Sequence, residues 1–209
     1  KGGKIRQKVV LSLDCKPENG TAEDLISIRI DKNRVYKIPE IGVGATSRRE
    51  PLTKNEAAIL QGFPFDHLRS EIHFFKPEWQ NELIKSIDES NQLGLPLFVV
   101  VYFSDHFKDE LAQLKKIVLR VSVKVKYVLI IWKNHVTDDD LFEQVFPEIK
   151  SIFTAAKIGA GVNAWFAELN RSRPQPEKAE FISFAVCPQV HASDDVSLVE
   201  NLEAQKYVV

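Results

Sequence analysis

Two runs, LPLFVVVYF (95–103) and VKYVLIIW (125–132), are almost wholly apolar and rich in β-branched and aromatic residues. A strand with one face in water alternates polar and apolar residues, whereas an unbroken apolar run must be covered on both faces. Parallel strands meet that demand, and they need a long crossover between them, usually a helix. The intervening SDHFKDELAQLKKIVLRV (104–121) reads as that helix. The chain is therefore constrained to β/α units with a parallel sheet.

The same alternation extends along most of the chain. Residues 5–13 and 25–36 read instead as an antiparallel pair around the turn formers KPENGTAED, with a composition break near Lys37–Pro39. EIGVGATS follows as a short strand. LTKNEAAILQGF is a helix opened by a capping box, Thr53 with Glu56. DHLRSEIHFF is a strand. KPEWQNELIKSIDESNQLG is a helix with Pro77 near its start and Gly94 at its end. TDDDLFEQVFPEIKSIFTAA is a helix that Pro147 should bend or split. IGAGVNAWFAELN and FISFAVCPQVH are strands, and the helix SDDVSLVENLEAQKYV is capped by Ser193 or Asp194.

Two parallel architectures compete. GVGATS is a poor phosphate-binding turn, lacking the third glycine of the doubly wound fingerprint. A TIM-type (β/α) barrel is the better reading, because polar residues gather at the strand ends. A full barrel takes about 250 residues and eight units. About six units are legible in residues 37–209, so the barrel is read as partial. Residues 1–36 are read as a β-hairpin.

Charge and cysteine content exclude several classes. The net charge is −1 with both signs interspersed, which gives no footprint for nucleic acid or a membrane surface. No apolar run reaches the about 18 residues of a membrane span. Cys15 and Cys187 do not make a disulfide framework, and no metal-ligand spacing or cofactor motif is present. The chain has no methionine and starts at Lys1, so it is read as a piece of a longer product, with the cytoplasm as its expected location.

On strands, successive side chains point to opposite faces. Leu68, Ser70, Ile72 and Phe74 share one face, and Arg69, Glu71 and His73 share the other. Three ionisable groups on one strand face need partners or water. The mouth of a barrel supplies both, although Arg69 and Glu71 also make sense as a structural ion pair. In the last strand Ile182, Phe184, Val186 and Val190 suit the helix side, while Ser183, Ala185, Cys187, Gln189 and His191 run from small to polar toward the mouth. The fifth strand is expected to end with Glu168 and Asn170 on one face. Trp132 and Trp165 lie near strand ends, where an indole can stack on a sugar but is more often core. His67 reads as a surface or capping residue, His106 as part of a helix start, and His135 as an upper-loop residue.

At these residues the chain resembles a known family. IPEIGVGATS, FDHLRSEIHF, GAGVNAWFAELNRSRP and CPQVHASDDVSLVENLEAQ resemble the TIM-barrel middle domain of the D-apionate lactonase family, over about Lys37 to Tyr207. The pattern departs at Cys187 and Ser193, where asparagine and a bulky aromatic are expected. The resemblance implies a glycoside-hydrolase-like barrel flanked by β-rich domains, with residues 1–36 as the tail of an upstream β-sandwich domain, acting on a sugar-acid lactone in carbohydrate metabolism; no cofactor is expected.

Opening a lactone requires a water nucleophile, a base, oxyanion stabilisation and an acid for the leaving hydroxyl. On this reading Glu168 is the base and His191 the acid or carbonyl polariser, with Glu71 and His73 as a second acid/base pair. Arg69, Asn170, Arg171, Gln189 and Trp132 bind hydroxyls, a carboxylate or the sugar ring. A glycoside hydrolase pairing Glu71 with Glu168 is the rival, though the fourth strand ends IIWKNH without an acid. A non-catalytic carbohydrate-binding barrel module is the third reading.

Overall fold

The computed structural model describes residues 33, 37–48, 50–187, 189, 194–203 and 207. The chain divides into two units, residues 1–38 and 39–209. The antiparallel pair expected over residues 1–36 lies outside the described residues.

Among the described residues, six strands hydrogen-bond in chain order, and every neighbouring pair is parallel. They are β1 (Gly42–Gly44), β2 (His67–His73), β3 (Leu97–Phe103), β4 (Val125–Trp132), β5 (Lys157–Trp165) and β6 (Phe181–Ala185). Helices alternate with them: α1 (Lys54–Gln61), α2 (Trp79–Leu93), α3 (Phe107–Val118), α4 (Asp139–Ile152), α5 (Phe166–Ser172) and α6 (Asp195–Glu203). Sequential order with a helix after each strand is barrel topology, and the described strands form a curled, incomplete TIM-type α/β barrel.

Local chemistry sets the boundaries. The Thr53 hydroxyl accepts from the Glu56 amide at 3.3 Å and the Glu56 carboxylate accepts from the Thr53 amide at 2.8 Å, closing the capping box of α1. Gly94 ends α2 at φ 71°. Asp194 caps α6, accepting from the Ser197 amide at 2.9 Å. Pro147 does not split α4, which runs through it as one helix with the proline on its exposed side.

The sheet separates two sets of side chains. Leu68, Ile72, Val99, Val101, Val128, Ile130, Ile158 and Ala160 point to the helices and form the main core with residues such as Leu83, Leu114, Phe142 and Ile149. Ser70 shares that face and is satisfied there by the Ser86 hydroxyl at 2.6 Å. Val100, Tyr102, Leu129 and Ile131 form a second cluster on the inner face. Beside it His67, Phe98, Tyr127 and Phe181 form an aromatic tier with ring centroids 5.6 to 5.9 Å apart. His67 is thus half-buried among rings rather than a surface cap. The Phe181 ring fits because Gly159 opposite has no side chain: a Cβ there would lie 2.3 Å from it.

Two strands end earlier than their alternation suggests. β5 stops at Trp165, and FAELNRS is helical rather than extended. β6 stops at Ala185; Val186 and Cys187 are irregular and Gln189 lies in a turn. The Thr137 hydroxyl donates to the Ile130 carbonyl at 2.6 Å and accepts from the Gly161 amide at 2.8 Å, tying β4 to β5 where their own ladder has ended.

Candidate active site

Alternation along β2 places Arg69, Glu71 and His73 on the inner face, while Leu68, Ser70 and Ile72 are buried beneath the helices. The parallel register sets Tyr102 beside His73. Asn163 arrives from β5. These five residues form one network. The Arg69 guanidinium meets the Glu71 carboxylate at 2.5 Å and donates to the Asn163 side-chain carbonyl at 2.9 Å. The Asn163 amide donates to both Glu71 oxygens at 3.2 and 3.3 Å, and to the Tyr102 hydroxyl. That hydroxyl in turn donates to Glu71 at 3.1 Å. His73 stacks on the Tyr102 ring at 4.0 Å, with Nε2 3.7 Å from Glu71.

The electrostatics follow from this geometry. Burial by itself raises the pKa of Glu71, but the Arg69 charge and the donors on Tyr102 and Asn163 outweigh it and hold the carboxyl below its usual range. Glu71 is therefore ionised at neutral pH with its acceptor positions occupied. Burial, with Lys76 and His135 nearby, lowers the pKa of His73 despite Glu71, so its imidazole is neutral. Burial and the Glu71 charge push the Tyr102 phenol up, keeping it a donor.

The remaining described candidates do not join this network. Glu168, Asn170 and Arg171 sit on α5, after the strand that was expected to carry them. Glu168 accepts from Arg171 at 3.1 Å through one oxygen, while its other oxygen is buried and has no hydrogen-bond partner among the described residues. Asn170 is exposed and accepts from Arg173. Among the described residues, no hydrogen bond or ion pair joins these three to the Glu71 network. Gln189 is exposed, and His191 lies outside the described residues. Trp132 packs on the helix-side core rather than the inner face. It lines a cleft of about 250 Å³ with Phe107, Asp138, Asp140, Leu141 and Gln144. Among the described residues, no group of three or more His, Cys, Asp or Glu side chains can hold a metal ion, and no helix is long and apolar enough to cross a membrane.

Sequence reasoning passed over Tyr102 and Asn163. Tyr102 hides in a run whose apolarity signals only burial. Asn163 was reachable, because period two from Gly159 through Gly161 leads to it on the inner face.

A parallel α/β barrel with polar side chains gathered on its inner face is the scaffold of many hydrolases that act on small polar substrates. The sequence model described as D-apionate lactonase, TIM barrel domain, matches residues 41–209, and the chain belongs to this family of lactonase-type barrel domains. It is 35% identical over 66 residues to a D-apionate lactonase of Brucella anthropi. That match covers 32% of this chain and 11% of the relative. No solved structure matches.

Proposed function

We propose that this barrel belongs to a hydrolase that opens a sugar-acid lactone, with the substrate seated against Arg69, Glu71, His73, Tyr102 and Asn163. The observation that carries the reading is the convergence of these five side chains from three strands onto one partly wet face, in a family of lactonase barrels. Flanking β-rich domains of the same protein belong to the same proposal.

In this reaction water adds to the lactone carbonyl, the ring C–O bond breaks, and a hydroxy acid is released. Glu71 is a poor general acid here, since it is ionised and saturated with donors. Its role is to fix Arg69, whose remaining guanidinium N–H groups then meet substrate hydroxyls without reorganising, while Tyr102 and Asn163 hold the carboxylate in place. Glu168 is the proposed base, its second oxygen having no hydrogen-bond partner among the described residues. His191 is the proposed polariser of the lactone carbonyl.

Full-length protein is to be screened against neutral aldonolactones and aryl glycosides. Lactone opening is expected, and Glu168→Gln should lower turnover roughly 10²–10⁴-fold. Undiminished turnover removes Glu168 from the mechanism. Cleavage of the glycosides alone replaces the lactonase reading.

A further inference from the structure

The turn that closes β4 holds a residue in the left-handed region. The His135 amide donates to the Trp132 carbonyl at 2.9 Å, and the Trp132 amide donates to the Val136 carbonyl at 2.8 Å. Within this tight loop His135 adopts φ 70°. Glycine fills such a position at least cost, and asparagine, aspartate and histidine are the side-chain-bearing residues that adopt it most readily. Non-glycine residues in this region persist where the surroundings over-determine them, and they gather at functional sites.

Here the surroundings are the network itself. The Asn163 amide donates to the His135 carbonyl at 2.9 Å, and Val136 bridges Val162. Asn163 therefore holds the turn with its backbone and Glu71 with its side chain. The His135 imidazole is exposed and stands edge-on to the Tyr102 ring at 5.6 Å and 76°, the same ring on which His73 stacks. The imidazole is thus open to solvent beside the Glu71 network.

We propose that His135 is a catalytic residue of lactone opening, acting as the general acid; this rests on the lactonase reading above. As the oxygen of water bonds to the carbonyl carbon, Glu168 takes a proton from that water. As the ring C–O bond breaks, the His135 imidazolium gives a proton to the departing oxygen. The proton on Glu168 then returns to His135 through solvent, so the lactone and one water become the hydroxy acid and both residues end as they began.

The test uses full-length protein and the lactone it turns over, with His135→Gly and His135→Asn. Both replacements suit the left-handed backbone, so melting temperature should hold or rise. Turnover should fall by roughly 10²-fold or more with KM little changed, and added imidazole should restore part of it to His135→Gly only. Turnover within about twofold of the parent in both variants overturns the proposal. So does a loss that tracks a lower melting temperature and that imidazole does not repair, since that is structural damage. If the parent protein opens no lactone, the lactonase reading falls and takes this one with it.

Discussion

Replacing Tyr102 by phenylalanine removes one oxygen from the centre of the polar network and leaves the ring. The ring is fully buried and continues to stack on His73, so no cavity larger than the hydroxyl is made. What disappears is a donor to ionised Glu71 at 3.1 Å and an acceptor for the Asn163 amide. A hydrogen bond to a charged group contributes about 1.5–3 kcal/mol. The Glu71 side chain is 34% exposed, so water replaces part of that contribution. A loss of about 1–2 kcal/mol is expected, or a melting temperature lower by about 2–8 °C for a chain of this size. Urea unfolding of the full-length protein, followed by tryptophan fluorescence, measures it. Tyr102→Phe, Glu71→Gln and their combination form a cycle in which the coupling should exceed about 0.5 kcal/mol. Additivity within about 0.3 kcal/mol would show that the hydroxyl and the carboxylate act independently, and the network would lose its meaning as a unit.

Gly161 adopts φ 145°, and a Cβ there would lie 2.0 Å from the Ser183 carbonyl oxygen. Gly161→Ala should therefore cost more than about 3 kcal/mol, read from thermal melting, and a variant as stable as the parent contradicts the β5–β6 register. Thr137→Val keeps shape but strips the buried Gly161 amide of its acceptor, and a loss of about 1–3 kcal/mol in urea unfolding is expected. The folded pKa of Glu71 lies below its unfolded value, so its ionisation stabilises the fold above the unfolded carboxylate pKa of about 4.3. That contribution is lost as pH falls through the depressed folded value, and the acid limb of a stability–pH curve should be shallower in Glu71→Gln. Identical limbs would show that Glu71 titrates alike in both states.

Much of the architecture was legible because parallel sheets write a loud signal. Almost wholly apolar runs at 97–103 and 125–132, the capping box at Thr53 and the terminating Gly94 each have one physical reading. The face shared by Arg69, Glu71 and His73 followed from period two alone. The errors gather where strand gives way to helix. WFAELN can be read with either period, and extending the strand through it moved attention to Glu168 and Asn170 and away from Asn163. Pro147 removes one helical donor, yet α4 persists because Leu141, Phe142, Val145 and Ile149 are buried along it. Tyr102 was invisible for a different reason: its hydroxyl matters through what two other strands bring to it, and register between strands is not written in any one of them.

The rings of His67, Phe98, Tyr127 and Phe181 occupy the inner face next to the charged pair. Such a layer polarises weakly compared with water, so it does little to screen the ions beside it. Their field is squeezed out through the open, hydrated side instead, toward whatever molecule arrives there. The aromatic residues thereby act as an insulator that aims the electrostatics of Arg69 and Glu71 in one direction.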